Sequence, residues 1–267
     1  MNAEQIKSLL AEHGLRPNKA LGQNFLIDDD RLCAIADAAK IEGQAVLEVG
    51  PGLGALTQAL LLRAKRVVAV EKDAALCAIL FNILQDSHLT VVPGDFLHTD
   101  VCQLMEFSPF SAVANLPYYV TTPIVEKLLC AYPVSMTLMV QKEAAERFTA
   151  QPGDRVYGPV AIVSQYYYEV ERIMELSPAS YYPQPEVASA VVRFTRRQDR
   201  SIPTERLLRL SKTAFSMRRK TLQNNLCGIE GAADALAKAD IPGGVRAESL
   251  PPEAFAALYT ALYGGQL

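Results

Sequence analysis

The 267-residue sequence is poor in the residues that bind metals and form cross-links, with five cysteines and three histidines. Cys33, Cys77, Cys102, Cys130 and Cys227 lie far apart, with no C-x-x-C pair and no histidine cluster beside them, which argues against a zinc site. An odd, scattered set is expected to consist of reduced thiols buried in the core. Long apolar runs are also missing: no window reaches the roughly 18 uninterrupted apolar residues of a membrane span. The opening MNAEQIKSLLAEHG reads as an amphipathic helix and lacks the apolar centre and small-residue cleavage site of a signal peptide. A soluble, cytoplasmic chain is the expectation. Internal repeats and low-complexity tracts are absent. A general excess of positive charge is absent too, since the net charge is -3; any nucleic-acid contact must therefore come from a local concentration of Lys and Arg.

Such a concentration exists. Between Arg193 and Lys220 ten basic residues face only Asp199 and Glu205, a segment of +8 in a chain whose remainder is -11. This asymmetry points to a phosphate-tracking surface, with a solvated charged face as the alternative.

With 50% hydrophobic and 21% charged residues the composition is globular, and the length allows one sizeable α/β domain with a smaller appendage. From about residue 45 to 141, strand-length apolar strings alternate with helix-period strings, the pattern of a parallel sheet buried on both faces. The strand candidates are AVLEV (45-49), RVVAV (66-70), LTVVP (89-93), FSAVA (110-114) and SMTLMV (135-140), with VASAVVRF (187-194) as a late strand on the same sheet. After RRQDRSIP only helical patterns follow: TERLLRLSKTAF, KTLQNNL, GAADALAKAD and PEAFAALYTALY. The expectation is a Rossmann-like α/β domain over 1-198 and a small all-helical domain over 199-267.

The first long strand ends in E-V-G-P-G-L-G, placing Gly50, Gly52 and Gly54 in a turn that opens a helix. Alone, this pattern fits nicotinamide enzymes, methyltransferases and ordinary tight turns. Glu71 closes the next strand 21 residues after Gly50, where an acid accepts from ribose hydroxyls. Asp95, in G-D-F after the third, offers a carboxylate to an adenine amine while Phe96 or a neighbour packs on the ring. Three successive strand ends thus carry groups suited to an adenosine-containing cofactor.

The fourth strand runs into N-L-P-Y, and each residue has a use in methylating an aromatic amine. The 6-amino nitrogen of adenine is conjugated with its ring and is a poor nucleophile. Acceptor bonds from the Asn115 side-chain oxygen and a backbone carbonyl, assigned to Leu116, favour a more tetrahedral nitrogen. Pro117 fixes the backbone so that these acceptors converge. Tyr118 stacks on an adenine taken out of its RNA context. No strong general base is required, because the methylated nitrogen is acidic, and His13, His88 and His98 all lie outside the motifs. In isolation N-L-P-Y also fits a plain turn.

Together with L-G-Q-N-F-L (21-26), V-E-K-D, Q-K-E-A-A-E-R-F, Y-Y-P-Q-P-E-V-A-S and A-F-S-M-R-R-K-T-L-Q-N-N-L, these motifs make nearly the whole chain resemble the KsgA/RsmA family of ribosomal RNA adenine dimethyltransferases. The resemblance implies the class I S-adenosylmethionine-dependent methyltransferase fold. It also implies transfer of four methyl groups to two adjacent adenosines near the 3′ end of 16S rRNA, within the immature small ribosomal subunit, by a monomer that needs no metal and no membrane. Asn24, Leu26, Gly50, Gly52, Glu71, Asp95 and Asn115 would form the cofactor set, Asn115, Leu116 and Tyr118 would hold the target base, and Arg218, Arg219 and Lys220 would meet RNA. Tyr181, where the family usually has phenylalanine, would supply a second stacking face; Glu186 stands in place of a lysine. Three rival readings remain: an Erm-type enzyme acting on 23S rRNA, a ribosome-assembly factor that has lost catalysis, and a nicotinamide oxidoreductase, for which N-L-P-Y has no use.

Overall fold

The computed structural model describes residues 1-106, 108-198 and 200-264. They fall into two compact units, one of 1-145 with 171-195, the other of 146-170 with the described part of 196-267. The boundary expected at residue 198 divides the chain by position along it. The units divide it by packing, and 146-170 goes with the carboxyl-terminal helices.

Among the described residues nine strands form: β1 (Phe25–Leu26), β2 (Ala45–Val49), β3 (Arg66–Glu71), β4 (Leu89–Pro93), β5 (Ser111–Asn115), β6 (Ser135–Gln141), β7 (Tyr168–Leu176), β8 (Tyr181–Tyr182) and β9 (Ser189–Arg196). Seven form one sheet in the order β4-β3-β2-β5-β6-β9-β7. Neighbours from β4 to β6 pair in parallel and β9 pairs antiparallel to β6. The unbroken apolar strings explain this: Val46, Leu47, Val67, Ala69, Val113 and Ala114 are fully buried, so both faces of the central strands are covered. The sheet is the Rossmann-like one expected. Its switch point lies between β2 and β5, where successive crossovers leave on opposite sides and a crevice opens at the carboxyl edge.

Helix Ala55–Leu61 follows β2 directly, and its start depends on Gly54. Gly54 has φ +80°, and a Cβ there would stand 2.5 Å from Leu80 Cδ1 and 2.7 Å from Leu84 Cδ1. Only glycine permits both the left-handed turn and this close approach. β1 and β8 form a separate antiparallel ribbon in which Leu26 faces Tyr181 and Phe25 faces Tyr182.

β7 escapes the sequence pattern. YEVERIMEL carries Glu169, Glu171, Arg172 and Glu175, and it lies at the sheet edge, where charge blunts an otherwise sticky strand rather than reporting burial. The cysteines also depart from expectation. Only Cys77 is buried, and Cys33, Cys102, Cys130 and Cys227 are exposed and not in disulfides. Each of these four sits on the outward side of its helix or turn, a placement that the absence of pairing motifs does not reveal.

The second unit is built from helices Pro159–Tyr167, Thr204–Ala214, Leu222–Asn225, Ala232–Lys238 and Pro252–Tyr263. Leu207, Leu222, Leu226, Phe255 and Leu258 are fully buried in it. Phe215 lies between Tyr157 and Phe255, each ring centroid 6.3 Å away, and the Tyr157 hydroxyl donates to Leu250 O at 2.9 Å. No described helix is long and apolar enough to cross a membrane.

Candidate active site

A cavity of about 310 Å³ opens beyond the carboxyl ends of β2 to β5. Asn24, Leu26, Gly50, Gly52, Glu71, Asp95, Asn115, Leu116 and Tyr118 all line it, so residues spread over 95 positions of sequence meet at one place. The crossovers of the sheet bring the residues from Gly50 to Tyr118 together, because each follows or ends a strand on the same edge, while Asn24 and Leu26 reach the cavity from β1 and the loop before it.

Glu71 is almost buried, and its two carboxylate oxygens are held by backbone N–H groups: Gly52 N donates to Oε2 at 3.0 Å and Asp73 N donates to Oε1 at 2.8 Å. Burial raises its pKa while these donors oppose the rise. The oxygens are thereby fixed in place with lone pairs left for two hydroxyl donors. Asp95 accepts from Leu97 N at 2.9 Å and pairs with Lys72 Nζ at 2.9 Å; the Lys72 ammonium, aided by that backbone donor, holds the carboxyl below its usual range. Phe96, buried behind it, carries Lys127 Nζ 5.6 Å above its ring.

Glu48 lines the same cavity and was not singled out from the sequence, although it stands at the end of β2 just before the glycine turn. It is 1% exposed, and among the described residues neither its Oε2 nor Thr57 Oγ1 has a hydrogen-bond partner. Burial pushes its carboxyl up to about 8; the Thr57 hydroxyl, close by but outside hydrogen-bonding geometry, lowers it, and the Glu71 charge adds to the rise. A buried polar atom without a partner, facing a cavity, is a place where a ligand donor fits.

Asn115 ends β5 with its side chain in the cavity. Its Nδ2 donates to the Asn24 backbone oxygen at 3.0 Å, and Asn24 Nδ2 donates to Gly22 O at 3.2 Å. A carbonyl only accepts, so the first bond fixes which end of the Asn115 amide faces Asn24 and leaves Oδ1 as the exposed acceptor. Leu116 follows with its N–H bonded to Met139 O at 3.0 Å, and its side chain is buried. The Tyr118 hydroxyl is 2.6 Å from Ser189 Oγ.

Tyr181 is placed differently. It is 3% exposed, packs in the core with Leu26, Met139 and Val191, and is not among the cavity-lining residues. Alternation along β8 turns Tyr181 inward and Tyr182 outward, where Lys7 Nζ lies 5.4 Å over the Tyr182 ring. Among the described residues the Tyr181 hydroxyl has no partner in hydrogen-bonding geometry, and burial raises its pKa while the nearby Ser189 hydroxyl opposes the rise.

In the second unit, Arg218, Arg219 and Lys220 are exposed on the turn between helices Thr204–Ala214 and Leu222–Asn225. Arg218 reaches Glu248 at 3.1 Å and lies 5.9 Å over the Phe215 ring. Part of the basic run has structural work instead. Arg193 bonds Glu171 and Ala38 O within the first unit, and Arg200 lies 4.6 Å over the Tyr166 ring while donating to Tyr166 O. Among the described residues no cluster of His, Cys, Asp and Glu has the form of a metal site.

Comparison with known proteins agrees with this geometry. The family model described as ribosomal RNA adenine dimethylase matches residues 14-263. A ribosomal RNA small subunit methyltransferase A from Geobacillus thermodenitrificans is 42% identical, over 97% of this chain and 95% of its own length. Among solved structures, a dimethyladenosine transferase from Plasmodium falciparum matches with a TM-score of 0.75 and 26% identity, over 88% of this chain and 95% of its own. The 23S rRNA methyltransferase ErmE matches with a TM-score of 0.68 and 28% identity, over 89% and 99%. The chain belongs to the ribosomal RNA adenine dimethylase family, whose members are S-adenosylmethionine-dependent methyltransferases built on a Rossmann-like class I sheet.

Proposed function

We propose that this chain dimethylates the 6-amino groups of two adjacent adenosines near the 3′ end of 16S rRNA, acting as a cytoplasmic monomer on the immature small ribosomal subunit. The Asn115 amide carries this reading: its tether to Asn24 O leaves Oδ1 as a fixed acceptor in the cavity. Higher identity to a small-subunit enzyme than to ErmE favours the small subunit.

The cavity residues suit the cofactor. Glu71 would take the ribose hydroxyls, Asp95 the adenine amine after Lys72 yields or shares its oxygen, and Asn24, Leu26, Gly50 and Gly52 would enclose the rest. When bound, S-adenosylmethionine supplies an electrophilic methyl group on a positively charged sulfur. Asn115 Oδ1 and the Leu116 carbonyl would accept the two N–H bonds of the target amine, turning its lone pair toward the methyl group. Tyr118 would hold the base by its ring face, steadied by Ser189. The amine nitrogen would form the N–C bond as the methyl–sulfur bond breaks with its electron pair left on sulfur, and the nitrogen, then cationic, would give its proton to water and return to neutrality. Tyr181 is proposed as the second stacking face, which requires the base to reach past the cavity wall to the ribbon of β1 and β8. The helical domain over 199-267 is proposed to face RNA through Arg218, Arg219 and Lys220.

The test is transfer of labelled methyl groups to unmethylated small subunits and, separately, to 23S rRNA, by wild type and Asn115→Ala. Dimethyladenine in the small subunit, abolished by the substitution, is expected. Labelling of 23S rRNA alone would move the chain to the Erm-type activity, and tight subunit binding without labelling would make it an assembly factor.

A further inference from the structure

Tyr118 and Tyr119 are consecutive in the 3-10 turn Tyr118–Val120, and the turn sends their rings different ways. Tyr118 is half-buried and tied to Ser189, whereas Tyr119 is 60% exposed and still lines the cavity. One edge of the Tyr119 ring is supported. Gly22, at φ +64°, passes so close that a Cβ on it would stand 3.2 Å from Tyr119 Cδ1 and 3.4 Å from Pro117 Cβ. The ring therefore rests against the backbone of the 21-26 loop and keeps open surface at the mouth of the cavity. A large aromatic ring in that position, braced by a glycine and turned to solvent, is suited to stacking on a flat ligand.

Resting on the reading of two adjacent adenosines as substrate, we propose that Tyr119 is the platform for the adenine beside the target, holding it while its neighbour occupies the cavity. Taking one base out of a stack deprives the next of a stacking partner, and an aromatic face at the rim replaces the lost contact. Both adenosines must enter the cavity in turn. A sequence-tolerant platform one residue beyond the Tyr118 ring serves each of them while the other reacts, whereas a hydrogen-bonding pocket would discriminate between their two positions.

The test uses the full chain and reconstituted small subunits in which one of the two adenosines is replaced by 2-aminopurine. This base lacks the 6-amino group, cannot be methylated, and fluoresces when unstacked. With wild type, its fluorescence is expected to stay low in the complex while the remaining adenosine is methylated. Tyr119→Ala is expected to brighten it and to raise KM for the subunit about tenfold, with cofactor affinity unchanged. Tyr119→Phe and Tyr119→Trp are expected to behave like wild type, because the ring face and not the hydroxyl does the stacking. Equal fluorescence and KM in wild type and Tyr119→Ala would overturn the proposal, as would loss of cofactor binding in Tyr119→Ala or failure of Tyr119→Phe. If wild type transfers no methyl group to subunits with both adenosines intact, it is the substrate assignment that fails.

Discussion

The Tyr118 hydroxyl and Ser189 Oγ lie 2.6 Å apart, joining the turn after β5 to the first residue of β9 across 71 positions of sequence. Ser189 is 1% exposed, so this bond is sheltered from water, and it sets the angle at which the Tyr118 ring meets the cavity. Ser189→Ala is expected to lower kcat several-fold through loosened stacking, at a stability cost of about 1 kcal/mol. Tyr118→Phe breaks the same bond from the other side, so the double variant should be no worse than either single one. Steady-state methyl transfer with all three variants checks this, and simple additivity of the two losses would separate the residues' roles.

Glu48 gives the apoprotein a pH dependence whose sign is fixed by its burial. Its folded pKa of about 8 lies above its ordinary value, so the folded state holds a proton that the unfolded chain releases earlier. Stability from this group is fully present below its ordinary pKa of 4.5 and is lost as pH rises toward about 8. Glu48→Gln keeps the shape without the titration. Melting curves should therefore show the variant gaining on wild type between about pH 5 and pH 8, with a constant difference above that window. Parallel curves across the whole range would show that Glu48 is not protonated in the fold.

Gly54→Ala is expected to destabilise the first unit by about 1–3 kcal/mol. The substitution puts a Cβ on a residue with φ +80° and drives it into Leu80 and Leu84. Chemical denaturation measures the loss. Adding Leu84→Ala to the variant should recover only the part due to the clash with Leu84, leaving the Leu80 clash and the backbone strain.

Arg219 and Lys220 have exposed side chains on the turn after helix Thr204–Ala214. Replacing both by alanine is expected to weaken subunit binding and to reduce the slope of log affinity against log salt by about 1–2. An unchanged slope would mean that the turn does not meet phosphate.

How much of this was legible in the sequence follows from the range of the forces involved. The strands from Ala45 to Gln141 could be read because sustained apolar strings between polar, helix-period segments have one compact solution, a parallel sheet covered on both faces. Gly50, Glu71, Asp95 and Asn115 could be read because in such a sheet the chain order fixes which strand ends meet at the switch point, whereas Asn24 and Leu26 came only from the family resemblance. β7 could not, since an edge strand buries too little for its hydrophobic pattern to show. The grouping of 146-170 with the carboxyl-terminal helices was equally hidden, because packing and not position along the chain decides it. Motif and spacing placed Glu71, Asp95 and Asn115 at one edge, a local matter of strand ends and turns. Only the tertiary structure could decide that Asn24 O orients the Asn115 amide, that Ser189 holds Tyr118, and that Glu48 is buried with its Oε2 unpaired among the described residues. It also decided that β8 turns Tyr181 into the core while Tyr119 stands open at the rim. Each of these depends on side chains brought together across long stretches of chain, where burial and hydrogen-bond geometry are set by what packs alongside and not by what precedes or follows in sequence.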